Sequence, residues 1–94
     1  MGINVRYLAL NEKYSILFAA EINKNFFYEY RKDTNGEYTY HNIHFPLSLG
    51  SFTLDLAMSE DSDFFAHVAY NYGVQIYLYN GTDFEKIYDI TLCT

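Results

Sequence analysis

The sequence predicts an all-β fold of eight short antiparallel strands, arranged as two four-stranded meanders that repeat about every 47 residues. Apolar and polar residues alternate with a period of two in several short runs, which is the pattern of a strand. Turn-forming residues separate these runs at short intervals. The chain also contains eleven Tyr and eight Phe among 94 residues, and aromatic side chains favour pleated sheets. We expect one domain over residues 1–94, with units at about 4–45 and 51–92.

The first unit contains four runs that predict strands. They cover residues 4–10, 14–22, 26–31 and 37–45. The second run is almost wholly apolar, as is typical of a strand buried on both faces. Between the third and fourth runs, Asn35-Gly36 predicts a hairpin turn, because both residues adopt positive φ at low cost.

The fourth run changes the face on which its large side chains lie. Tyr38 and Tyr40 share one parity, and Ile43 and Phe45 share the other. One extra residue in the strand would produce this change, so we expect a β-bulge near His41-Asn42.

Pro46 and Gly50 interrupt pairing, and four further strands follow them. These strands cover residues 53–58, 64–71, 74–79 and 84–92. The segment at 59–63 is a predicted turn, because its Ser and Asp side chains bond the local backbone. In the last run, Phe84, Tyr88, Ile90 and Leu92 are predicted to share a face.

Several residues of the two units match at spacings of 47 or 48 positions. The matches are Leu8-Ala9-Leu10 with Leu56-Ala57-Met58, Phe18-Ala19 with Phe65-Ala66, Tyr30 with Tyr77, and Ile43 with Ile90. A period of this length with four strands per unit is typical of propeller blades.

The second unit resembles the tryptophan-aspartate repeat and related propeller families. The resemblance rests on an apolar strand at 54–58, a turn at 59–62, a strand of small and apolar residues at 64–69, Gly73, and a strand at 74–77 in which Tyr77 replaces the signature Trp. Two blades do not close a ring. The resemblance therefore implies part of a longer protein, or a ring of several copies like that of small two-blade lectins. Closure of the eight strands as a barrel or sandwich is the third option.

A different fold remains open over residues 11–31. Asn11 would cap a helix in which Tyr14, Leu17, Phe18, Ile22 and Phe26 recur at helical spacing. The alternative prediction is an α+β fold, in which this helix packs on an antiparallel sheet.

The charge distribution argues against direct binding of nucleic acid. The formal net charge is −6, and the six basic residues are scattered. The sequence has no apolar run long enough to span a membrane, so we expect no membrane partner. Cys93 is the only cysteine, which predicts a cytoplasmic location, or the host cytoplasm for a phage protein.

No catalytic or cofactor motif is recognisable in the sequence, so we expect a protein that is not an enzyme and has no cofactor or metal. His41, His44 and His67 lack the spacing of metal ligands. Glu60, Asp61 and Asp63 lack the ordered ligands and glycine of a calcium loop, so we interpret them as a solvated turn.

The candidate interaction surface is acidic and rich in tyrosine. It comprises Tyr28, Tyr30, Tyr38, Tyr40, Tyr77, Tyr79, Glu60, Asp61 and Asp63, with Tyr88 expected beside Tyr77 and Tyr79. Tyrosine is enriched at interfaces, although cross-strand packing within the fold also explains such residues.

These features predict a non-catalytic protein-interaction module that binds a protein partner or itself, as part of a larger or oligomeric propeller. An alternative is a small acidic inhibitor from a phage or mobile element that mimics the charge of nucleic acid. A further alternative is sugar binding by a lectin-like ring.

Overall fold

The structure is a computed structural model that describes residues 4–46 and 50–91, and it confirms the all-β prediction. The eight strands are β1 (Val5–Asn11), β2 (Ile16–Glu21), β3 (Phe27–Lys32), β4 (Tyr38–His44), β5 (Phe52–Met58), β6 (Phe64–Tyr70), β7 (Gly73–Tyr79) and β8 (Phe84–Thr91). Each strand pairs with the next in antiparallel orientation, which gives the sheets β1-β2-β3-β4 and β5-β6-β7-β8. Leu92 and Cys93 lie outside the described residues.

The helix considered for residues 11–31 is wrong. This segment forms a turn, strand β2, a second turn and most of β3. Asn11 does accept a hydrogen bond from the amide of Tyr14, as an N-cap would, but the bond closes the β1–β2 turn. Ser15 then adopts a φ of 58°, which redirects the chain into β2.

The β3–β4 turn occurs where Asn35-Gly36 predicted it, but it is longer than a two-residue hairpin. Gly36 has a φ of 84°. The Asp33 carboxylate accepts hydrogen bonds from the amides of Asn35 and Glu37 at 2.9 and 3.0 Å. The turn is therefore organised by an Asp side chain, and only its glycine has positive φ.

Each sheet contains two bulges, and the four bulges occupy matching places. In the first strands, the extra residues are Arg6 in β1 and Leu54 in β5. In the fourth strands, they are His41 in β4 and Ile87 in β8. The bulge expected near His41-Asn42 is confirmed, and the corresponding bulge in β8 was not predicted. Matching bulges give an independent structural register for the repeat.

This register agrees with the sequence repeat in part. It equates Leu8 with Leu56 and Tyr30 with Tyr77, as the residue matches did. In β2 and β6, however, equivalent residues are one position further apart in the sequence than the Phe18-Phe65 match assumed. Phe18 therefore corresponds to Ala66. The Ile43-Ile90 match is also off by one, since His44 corresponds to Ile90.

The two sheets pack face to face around an aromatic core. We call the facing sides the inner faces and the opposite sides the outer faces. Phe18 and Phe27 of the first sheet meet Phe65, Tyr77 and Phe84 of the second, at ring-centroid distances between 4.2 and 6.2 Å. All five side chains are buried.

The sheets are stacked head to tail. The inner face of the first sheet carries Phe18 and Phe27, whose equivalents Ala66 and Val74 lie on the outer face of the second sheet. Conversely, buried Tyr77 corresponds to Tyr30 on the outer face of the first sheet. Equivalent faces therefore point the same way along the stack.

Candidate interaction surfaces

The outer face of the first sheet is apolar and tyrosine-rich. Two cross-strand rows form it, Leu8–Ala19–Tyr28–Ile43 and Leu10–Leu17–Tyr30–Tyr40, with Tyr38 beside the second row opposite Lys32. Leu8 is 60% exposed and Tyr40 is 59% exposed, whereas Tyr28, Tyr30 and Tyr38 are half-buried.

The tyrosines on this outer face contact one another across strands. The ring centroids of Tyr28 and Tyr30 are 6.4 Å apart, and those of Tyr30 and Tyr40 are 6.3 Å apart. The Tyr28 hydroxyl donates to Glu21 at 3.0 Å, and burial together with this carboxylate raises the pKa of Tyr28. Lys32 lies over the Tyr38 ring, 5.5 Å from its centroid. The face thus combines flat apolar area with phenolic hydroxyl groups.

Tyr77, Tyr79 and Tyr88 do not join this surface: Tyr77 and Tyr79 share the inner face of the second sheet, and Tyr88 lies on its outer face. Tyr77 is buried between the sheets, where burial raises its pKa to about 12. Tyr79 is half-buried and its ring stacks on that of Tyr14 in the β1–β2 turn, with the centroids 3.7 Å apart. The bulge at Ile87 places Tyr88 on the outer face, away from Phe84, so the prediction that Phe84, Tyr88 and Ile90 share a face is wrong.

The outer face of the second sheet is also mainly apolar, and its two carboxylates, Asp55 and Glu85, lie on the edge strands β5 and β8. Its residues include Ala57, Phe64, Ala66, Val68, Val74, Ile76, Leu78, Tyr88 and Ile90. Small residues at Ala57 and Ala66 leave an open groove of about 260 Å³ between Met58, Phe64 and Ile76. Strand β7 therefore turns the aliphatic Val74, Ile76 and Leu78 outward, whereas its inward side chains include the buried polar Gln75 beside Tyr77 and Tyr79.

The acidic turn at residues 59–63 forms most of its side-chain hydrogen bonds within the chain. Asp61 accepts from the Ser59 hydroxyl at 2.7 Å and from the amide of Asp63, and these bonds lower its pKa. Asp63 accepts from the Tyr14 hydroxyl and from Lys13 across the two sheets, and both bonds lower its pKa. Glu60 is exposed. Asp61 therefore orders the turn and Asp63 links the two halves of the chain, and this turn does not adjoin the tyrosines of the first outer face.

Glu29 is a buried carboxylate on the inner face of the first sheet. It accepts from Arg31 and from His44, which lies 2.8 Å away. Burial alone would raise the pKa of Glu29, but the bonds from His44 and Arg31 outweigh it, so the pKa lies below its usual value. Arg31 also bridges to Asp83 of the second sheet at 2.9 Å. This network joins the sheets at one side of the core.

Glu29, His41 and Asp83 offer three potential metal ligands within 4.8 Å of one another. Arg31 already binds both carboxylates, and a cation there would have to displace its guanidinium group. The group is therefore better explained as an ion-pair network than as a metal site.

His67 is fully buried in a hydrogen-bonded row. Its Nδ1 lies 2.8 Å from Gln75 Oε1, and its Nε2 lies 2.7 Å from Thr53 Oγ1. A carbonyl oxygen only accepts, so Nδ1 carries the proton and Nε2 accepts from the Thr53 hydroxyl. Burial lowers the pKa of His67, which keeps the ring neutral. Thr53, His67 and Gln75 therefore each form a hydrogen bond with a neighbour in this row.

Sequence reasoning found the four tyrosines of the first outer face but missed its leucines and the whole outer face of the second sheet. The available signal was that large apolar residues occupy both parities in β6 and β7.

Among the residues that the structure describes, no helix has the length and apolar character needed to cross a bilayer. Comparison with protein-family models, curated proteins and solved structures finds no match to this chain.

Proposed function

We propose that this chain is a non-catalytic protein-interaction module whose main contact area is the outer face of the first sheet. The observation that carries the proposal is the placement of Tyr28, Tyr30, Tyr38 and Tyr40 on one face with the exposed Leu8. Exposed apolar patches of this kind commonly mark interaction sites.

Tyrosine suits such a contact for a physical reason. Its ring supplies a large rigid area with few rotatable bonds, and its hydroxyl forms hydrogen bonds at the edge of the contact. Tyr30 and Tyr40 pack against each other, so part of their side-chain entropy is already lost before binding. A partner therefore meets a preorganised surface.

The head-to-tail stacking supports a blade-like role for the two sheets. Successive propeller blades are repeated four-stranded meanders, and a ring typically needs four to eight of them. We propose that the two sheets act as a blade-like pair within a larger or oligomeric assembly. The internal bonding of Asp61 and Asp63 weakens the alternative of an acidic nucleic-acid mimic.

Site-specific photo-crosslinking tests the proposal. A photoreactive phenylalanine analogue placed at Tyr40 should give a discrete protein adduct in cells that produce the protein naturally. The same analogue at Thr34, which is exposed in the β3–β4 turn, is the matched control. Adding Leu8→Glu on the same face should reduce the Tyr40 adduct by at least about tenfold, because a charge would be buried in the contact. Equal labelling from both positions, or no adduct from Tyr40, would refute the proposal.

A further inference from the structure

We infer that the outer face of the second sheet binds the outer face of the first sheet of another copy of this chain. This inference rests on the proposed function, because it uses the same tyrosine-bearing face as one half of the contact. It names a second copy as the partner and assigns the apolar face of the second sheet as its docking surface.

The matching bulges define which residues of the two sheets are equivalent. Within one chain, the face of the first sheet that carries Phe18 and Phe27 packs on the face of the second sheet that carries Phe65 and Tyr77. The equivalents of Phe18 and Phe27 are Ala66 and Val74, on the outer face of the second sheet.

The other half of the contact is also present on the surface. The equivalents of Phe65, His67 and Tyr77 are Leu17, Ala19 and Tyr30, on the outer face of the first sheet. The two outer faces are thus the repeat equivalents of the two surfaces that pack together inside the chain. Repeating the internal relationship between copies brings them together.

This relationship predicts particular contacts. Phe27 touches the rings of Phe65, His67 and Tyr77 at 5.6, 4.9 and 6.2 Å, respectively. Val74 of one copy should accordingly contact Leu17, Ala19 and Tyr30 of the next.

The groove is placed where a larger side chain can enter. Phe18 packs on Phe65 and Phe84, whose equivalents are Leu17 and Tyr38. At the place that corresponds to Phe18, the second sheet has only Ala66, within the groove of about 260 Å³. Tyr38 of the next copy would extend toward this space. A small residue on one face thus meets a large one on the other.

The polarity of the second outer face also fits an apolar occupant. Buried Glu29 on the inner face of the first sheet corresponds to Ile76, and Arg31 corresponds to Leu78. The ion pairs that accompany the internal contact are therefore replaced by aliphatic side chains, whose burial is favourable without a charged partner.

Contacts between two different faces are heterologous, so copies can form closed rings or open chains. Such contacts permit a complementation experiment. Tyr30→Glu blocks the first outer face, and Val74→Glu blocks the second. Each variant alone should lose self-association by at least about 30-fold, as expected for a buried unpaired charge. An equimolar mixture should form a one-to-one pair and no larger species, because each copy keeps one usable face.

Analytical ultracentrifugation of the purified chain provides the measurement. The wild type and Thr34→Glu, altered in the exposed β3–β4 turn, should both increase in mass with concentration. Circular dichroism and thermal unfolding confirm that each variant is folded, and Tyr40→Glu with Tyr88→Glu serves as a second pair at exposed positions.

Three results would overturn the inference: a wild type that stays monomeric at every concentration, a single variant that still dimerises, or a mixture that does not pair. A monomeric wild type together with a Tyr40 adduct to a different protein would leave the proposed interaction function intact. If the chain self-associates but Tyr40 gives no adduct, the outer face of the first sheet is rejected as the contact area instead.

Discussion

The rings of Phe18 and Phe65 stack with their centroids 4.2 Å apart, although the two residues hold non-equivalent positions in the repeat. Phe18 corresponds to Ala66, and Phe65 corresponds to Leu17. A stack of equivalent residues would indicate a two-fold relationship between the sheets. The observed stack instead indicates that equivalent faces of the two sheets point in the same direction. This arrangement leaves one sheet face without a partner sheet at each end of the stack.

Phe18→Ala should destabilise the fold by about 3 to 5 kcal/mol, because it removes a fully buried ring that contacts both sheets. Since a small domain has only about 5 to 15 kcal/mol in total, Phe18→Leu, at about 0.5 to 3 kcal/mol, provides a milder variant. Urea unfolding followed by circular dichroism measures both. Phe45→Ala is the matched control, as Phe45 is 64% exposed, and an equal loss there would contradict the assigned core.

Asn11→Asp should weaken the link between the sheets. The Asn11 amide donates to the Ser62 carbonyl at 2.7 Å, and a carboxylate cannot donate this bond. We expect a loss of about 1 to 3 kcal/mol near neutral pH. Protonation of the new carboxyl restores a donor, so the difference from wild type should shrink in acid. Asn35→Asp, in the exposed β3–β4 turn, should show neither effect in the same unfolding series.

His67 should make the free energy of unfolding depend on pH. Its pKa is lower in the folded protein than the unfolded value of 6.5, so the unfolded state binds more protons as the pH falls. The contribution is fully present above pH 6.5 and is lost as the pH falls toward the folded pKa. The free energy of unfolding is measured against pH for the wild type and for His67→Gln. The difference between the two curves isolates this contribution. His41→Gln, at the exposed bulge of β4, should leave it unchanged.

Glu29→Gln should destabilise the fold at neutral pH by about 1 to 3 kcal/mol, because it weakens two charge-assisted bonds in a buried position. The pKa of Glu29 is lowered in the folded state, so its contribution is present above its ordinary value of 4.5 and is lost below it. Wild type and Glu29→Gln should therefore converge in stability in acid. Glu37→Gln, at an exposed position, is the control, and a constant difference across the pH range would contradict the assignment.

The fold class was predictable from the sequence because local chemistry decides it. Alternation at 64–70, the Asn35-Gly36 turn and the parity change around His41 all act over a few residues, and the structure contains each feature in its expected place. The helix considered for 11–31 arose because a strand that is apolar on both sides also satisfies a helical period. Pairing of β2 with strands on both sides resolved that ambiguity.

The candidate surface was less predictable, because the face that a side chain occupies depends on bulges as well as parity. The unrecognised bulge at Ile87 reversed the face of Tyr88 relative to Phe84. Parity alone also could not show which side of a sheet is inner. Tyr30 and Tyr77 are equivalent in the repeat, yet one is on an outer face and the other is buried.

The sequence by itself determined that this chain forms eight strands in two similar meanders with many tyrosines, because alternation and turn chemistry are local properties. Only the tertiary structure decided how the meanders stack, and hence that Tyr77 is core while Tyr28, Tyr30, Tyr38 and Tyr40 line an outer face. The physical reason is that both sides of each sheet carry large apolar side chains, so local pattern alone does not choose between them. Packing between the sheets makes that choice, and it leaves one apolar face unmatched at each end of the stack.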